Sequence, residues 1–142
     1  MKNNRASIMT NVITLPIYLK QVYKTKKDKN LSLNLNAYRN MHYIVSNNMK
    51  RQFKEQIKEQ LLWIVYYWQL TVNYKLYWKR LSDLDNLQAV VTKFFQDALV
   101  ECGCIEDDNF NYIRMNTYEV VAQDKINPRM EVTINKYICK DI

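Results

Sequence analysis

The sequence predicts a single α+β domain, a mixed β-sheet covered by two main helices in the order β-α-β-α-β-β. Three observations lead there. Two stretches repeat apolar residues every three or four positions, and several others alternate with period two. The 142 residues, 48% apolar and 25% charged, suit one hydrophobic core and are short for two, so residues 1–142 read as one domain. Helices with one apolar face and strands with one apolar face bury those faces by layering on each other.

The elements follow in order. Residues 8–19 read as a strand, with Ile13, Leu15, Ile17 and Leu19 alternating with Thr14, Pro16 and Tyr18. Pro16 places it near an edge or a bulge. Residues 20–36 read as a loop, rich in lysine at Lys20, Lys24, Lys26, Lys27 and Lys29. From 37 to about 62, Tyr38, Met41, Val45, Met49, Phe53, Ile57 and Leu61 recur at the period of one helical face. The span 62–69 fits either a helix end or a strand start. In 70–78, Leu70, Val72, Tyr74, Leu76 and Trp78 take one face of a half-buried strand. A second helix from about 86 to 102 carries a wide stripe from Leu87 to Cys102, and Gly103 suits the left-handed position after it. Strands near 112–123 and 130–139 close the chain, with Asn127-Pro128 marking the turn between them.

The rare residues exclude much chemistry. Gly103 is the one glycine, which rules out glycine-rich phosphate loops, the dinucleotide turn and the nucleophile elbow. His42 is the one histidine, which rules out two-histidine metal clusters; a helix-surface or core role suits it better than catalysis. Three cysteines make neither a closed disulfide framework nor a zinc site, and Cys102 and Cys104 read as a helix-end core residue and a loop residue. No stretch approaches the ~20 apolar residues of a membrane span. Polar residues and Pro16 interrupt the N-terminal apolar run, so no signal peptide is expected, and free cysteines suit the cytoplasm.

Charge is unevenly placed. The chain carries +7 overall, yet residues 83–108 hold Asp83, Asp85, Asp97, Glu101, Glu106, Asp107 and Asp108 against Lys93 alone, or −6, leaving +13 elsewhere. A basic surface attracts a polyanion such as nucleic acid. Clustered carboxylates repel that partner unless they hold cations, and oxygen-only sites favour Mg²⁺. A metal-dependent nuclease needs this combination. In extended backbone, Asp83 and Asp85 share a face. Asp108 lies past the far end of the following helix, so a neighbouring strand or a partner subunit would have to bring it to them. A structural reading stands beside this one. Asp85 with Gln88 makes an N-terminal cap, Asp107-Asp108-Asn109 makes a turn, and Lys93 and Asp97 make a surface pair.

Asp83-Leu84-Asp85-Asn86-Leu87-Gln88, the amphipathic helix with Asp97-Ala98-Leu99, then Gly103 and Asp107-Asp108, closely resemble the RusA family of Holliday-junction resolvases carried by phages and prophages. The likeness is good over residues 80–114 and weak toward both ends. It implies a small homodimer that uses Mg²⁺, with Mn²⁺ as a substitute, to nick paired strands of a four-way DNA junction in recombination and repair. It implies metal binding by Asp83, Asp85 and Asp108, with Asp107 beside them, and neither a small-molecule cofactor nor a membrane. One departure matters: the family's lysine after the Asp-Leu-Asp-Asn-Leu-Gln motif is Ala89 here. The helix is four residues longer than in that pattern, which puts Lys93 about one turn, ~6 Å, further along the same face. Lys93 or Arg80 is then the expected cation at the scissile phosphate. Lys79 and Arg80, with Lys24, Lys26 and Lys27 of the basic loop, are the expected DNA contacts. Trp63, Tyr66, Tyr67, Trp68 and Trp78 read as core or dimer interface ahead of base stacking. The alternatives are a binder of branched DNA without catalysis, or a metal nuclease acting on flaps.

Overall fold

The computed structural model describes residues 12–81 and 84–139. Asp83 and the start of the first predicted strand, 8–11, lie outside them. The architecture is mixed α+β, as predicted. Strands β1 (Ile13–Pro16), β4 (Leu70–Trp78), β5 (Ile113–Gln123) and β6 (Arg129–Lys136) form a four-stranded sheet in the order β1-β6-β4-β5. Strands β2 (Tyr18–Gln21) and β3 (Lys29–Ser32) form a separate antiparallel pair. Helices α1 (Leu35–Arg39) and α2 (Tyr43–Ile57) precede β4, and α3 (Leu84–Glu101) joins β4 to β5.

β4 and β5 run parallel, whereas β4 and β6 run antiparallel. Parallel neighbours need a crossover, and α3 supplies it. The two C-terminal strands are therefore not neighbours, because β4 lies between them. Their connection passes the end of β4, where the Asp124 N–H donates to the Trp78 carbonyl at 2.7 Å.

The predicted 8–19 strand is divided. Pro16 closes the β1–β6 ladder opposite Arg129, and the chain past Ile17 pairs instead with β3. Proline has no N–H to continue a ladder. The predicted 20–36 loop consequently contains β3 and the start of α1, pairing that Lys29–Ser32 does not announce by alternation. The long predicted helix is also divided. Asn34 caps α1 through its Oδ1, which accepts from the Ala37 N–H at 2.8 Å. His42, in extended backbone, caps α2 through Nδ1, which accepts from the Ile44 N–H at 3.2 Å. The apolar stripe survives the break, with Met49, Phe53 and Ile57 buried, because a turn between two helices can preserve their facing side. A 3₁₀ turn at Lys58–Leu61 ends this region.

β4 buries Leu70, Val72, Tyr74 and Leu76, as its alternation predicts. α3 buries Leu87, Val90, Val91, Phe94, Phe95, Ala98 and Leu99 against it. Phe94 sits edge-on to both Tyr38 and Phe53, with ring centroids 5.6 and 5.5 Å apart, which joins the three helices in one core. The end of α3 is a Schellman motif: Gly103 has φ +80, its N–H donates to Val100, and the Cys104 N–H donates to Leu99. This geometry reverses the expectation for the cysteines. Cys102 is exposed, and Cys104 is fully buried, with its thiol pushed up to about 11 by burial. Among the described residues, no helix is long and apolar enough to cross a membrane.

Candidate functional site

The residues singled out by sequence fall at two ends of the α3–sheet layer. At the first end, β4 runs out through Trp78, Lys79, Arg80 and Leu81, and α3 begins at Leu84. Asp85 is therefore not the residue before the helix. It stands exposed in the first turn, where a carboxylate is favoured by the positive end of the helix dipole. The extended backbone that would align Asp85 with Asp83 is absent at Asp85.

Two adjoining clefts open beside this helix start, of about 290 and 510 Å³. Tyr18, Asn30 and Lys79 line both. Arg80 lines the smaller, and Lys125 and Arg129 line the larger. Arg129 is already committed: it contacts Asp124 and Glu131 at 2.8 Å and lies 4.1 Å from the Tyr77 ring. Lys79, Arg80 and Lys125 have no ion pair among the described residues, and Lys79 lies 5.9 Å from the Tyr18 ring. The β2–β3 pair that supplies Tyr18 and Asn30 also carries the exposed Lys24, Lys26 and Lys27 on its connecting loop. There Lys26 lies 4.4 Å from the Tyr23 ring. The cleft residues Tyr18, Asn30 and Lys125 were not singled out by sequence. The ladder break at Pro16 is the signal that would have found the first two.

Asp107 and Asp108 stand at the other end. They lie in the loop between Cys104, whose carbonyl accepts from the Tyr66 N–H, and Tyr112, whose carbonyl accepts from the Leu70 N–H at the start of β4. Both Asp107 oxygens are used in the turn, accepting from the Asp108 N–H at 2.8 Å and from Asn109 Nδ2 at 2.9 Å. Asp108 is half-buried, and its carboxylate has no hydrogen bond among the described residues. The 18 residues of α3 span about 27 Å at ~1.5 Å per residue, so one chain does not bring Asp85 and Asp108 together. Among the described residues, no three His, Cys, Asp or Glu side chains form a group that could hold a metal ion.

Lys93 lies between the two ends, about 12 Å along the helix from Asp85. Its amine reaches 3.4 Å from Asp97, one turn toward the C-terminus and away from Asp85. His42 serves as a cap, stacked on Tyr43 at 4.6 Å. Of the five aromatics read as core or interface, Trp63, Tyr67 and Trp68 are exposed, so they are not core within this chain. Tyr66 packs beside Cys104, and burial pushes its hydroxyl up to about 12. No family model matches this chain, and no curated protein matches it.

Proposed function

We propose that the protein is a divalent-metal-dependent endonuclease of branched DNA, resembling the RusA resolvases and acting as a homodimer in the cytoplasm. The observation that carries this reading is the first end of the molecule. An exposed carboxylate at a helix start stands near clefts whose lining includes Lys79, Arg80 and Lys125, cations with no ion pair among the described residues. Phosphates are attracted to the cations, and carboxylates beside phosphates are tolerated when a cation lies between them.

Asp83, Asp85 and Asp108 supply oxygen donors, the chemistry that Mg²⁺ prefers. When bound, Mg²⁺ supplies an activated water and charge neutralisation at the departing 3′ oxygen. Lys79, Arg80 and Lys125 hold the backbone phosphates, and Lys24, Lys26 and Lys27 extend the contact along a second arm. Arg80, adjacent to the acidic motif and free of an acidic partner among the described residues, is better placed than Lys93 to face the scissile phosphate. The separation of Asp85 from Asp108 within one chain favours a site completed by a second subunit. A four-way junction has near-twofold symmetry, so a homodimer with two such sites matches paired nicks.

The experiment is cleavage of a mobile four-way junction, a fork and a linear duplex, each with and without Mg²⁺. The expected result is Mg²⁺-dependent nicking of the junction above the other two. Equal cutting of fork and junction would replace junction resolution with flap or general branch cleavage. A second reading, a branched-DNA binder without catalysis, is favoured by the Lys93–Asp97 pair and by the full use of Asp107 in its own turn. Tight junction binding with no cleavage under any divalent metal would establish it.

A further inference from the structure

The two edges of the main sheet are treated differently. At one edge, β1 is four residues long and ends on Pro16. The Gln60 side chain occupies the outward N–H and C=O of Thr14, at 2.8 and 2.9 Å. Gln52 does the same for Lys20 on β2, at 3.1 and 3.0 Å. These amides fill backbone groups that a further strand would use, one way in which sheets block edge pairing.

Among the described residues, the β5 edge has no such cover. It is an 11-residue strand without proline, and among the described residues no strand lies beyond it. Its register with β4 shifts near Arg114 and Val121, and between those points Met115–Val120 pairs regularly with Thr71–Leu76. Met115 and Val120 are each 49% exposed. Glu119 is the one charge in that run. Antiparallel self-pairing about a two-fold axis at Thr117 sets Met115 opposite Glu119 and Asn116 opposite Tyr118, with no like charges opposed.

We propose that the free edge of β5 pairs antiparallel with β5 of a second copy, joining two four-stranded sheets into one continuous sheet across a two-fold axis. Such an interface is isologous and closes the open edge of both copies at once. It also reverses the ends, because the start of β5 in one copy then lies beside the end of β5 in the other. Asp108 stands near the start of β5, and Asp85 stands at the end where β4 and β5 finish together. Antiparallel pairing therefore brings the Asp108 end of one subunit to the Asp85 end of its partner, as parallel pairing does not. This last argument rests on the nuclease reading above; the contrast between the two edges does not.

The test uses the full chain with exposed Cys102 and Cys139 replaced by serine. Thr117→Cys treated with a short bis-maleimide is expected to give a covalent dimer on a denaturing gel, and Glu59→Cys is expected to give none. Val120→Lys is expected to sediment as a folded monomer at concentrations where the parent is a dimer. A parent that stays monomeric at micromolar concentration, with or without junction DNA, would overturn the proposal. So would a dimer that fails to cross-link at position 117. If Val120→Lys fails to fold, the cross-link decides. A β5-linked dimer that cuts no branched DNA would remove the nuclease reading and leave the interface standing. A junction-cutting dimer with no link at β5 would do the reverse.

Discussion

At the scale of single residues, the acids divide by what their carboxylates are free to do. Asp107 is consumed by its own turn, whereas Asp108 offers its oxygens unpaired among the described residues. Asn keeps the shape of Asp and loses its charge. Asp83→Asn, Asp85→Asn and Asp108→Asn are therefore expected to lower junction cleavage by about 10²–10³ or more, the scale of losing one electrostatic stabiliser. Junction affinity in a Mg²⁺-free gel shift is expected to hold or rise, since negative charge has been removed. Near-parental cleavage by any of the three would take that residue out of the site. Lys93 gives the opposite expectation. Its pairing with Asp97 is exposed, so Lys93→Ala is expected to cost about 0.3–0.5 kcal/mol of stability and leave the single-turnover rate unchanged. Arg80→Ala is expected to slow that same step. A large rate loss in Lys93→Ala alone would return the phosphate-facing role to the helix.

At the scale of elements, two local devices have measurable consequences. Gly103 ends α3 at φ +80, with open space where a Cβ would stand. Gly103→Ala therefore meets no clash, and its cost is that of a left-handed backbone, about 1–2 kcal/mol, read as a Tm lower by a few degrees. An unchanged Tm would mean that the helix end relaxes without loss. The β5–β6 connection is held by Asp124. The Asn127 backbone N–H, and after it Arg129, hold the Asp124 carboxyl below its ordinary value of 3.8. A carboxyl with a lowered folded-state pKa stabilises the fold above that ordinary value and ceases to do so as pH falls through the folded value. The Tm difference between the parent and Asp124→Asn is thus expected to be present at pH 6 and to shrink below pH 3.8. A difference independent of pH would assign the role of Asp124 to shape rather than charge.

At the scale of the whole molecule, the proposed nuclease reading makes cleavage a property of the pair, because the length of α3 separates Asp85 from Asp108. A mixture of Asp85→Asn and Asp108→Asn subunits, each inactive alone, is expected to regain single-strand nicking after subunit exchange. One of the two composite sites in the mixed dimer then carries both parental acids. Continued inactivity of a mixture shown to exchange would place the whole site within one chain. Much of the fold was legible along the chain. β4, α3 and the Gly103 stop follow from periods of two and 3.6 and from one left-handed position, all local properties of consecutive residues. The break capped by His42 was hidden because the apolar stripe runs unbroken across it. β3 was hidden because Lys29–Ser32 does not alternate and lies in a lysine-rich stretch. The same limit applies to the site. Sequence alone concentrated the acids between 83 and 108 and the bases elsewhere. Only the tertiary structure set β4 between β5 and β6, covered one sheet edge with glutamine amides and left the other open among the described residues, and put Asp85 and Asp108 at opposite ends of the sheet. Strand order and edge exposure arise from contacts between distant segments, and no local pattern encodes them.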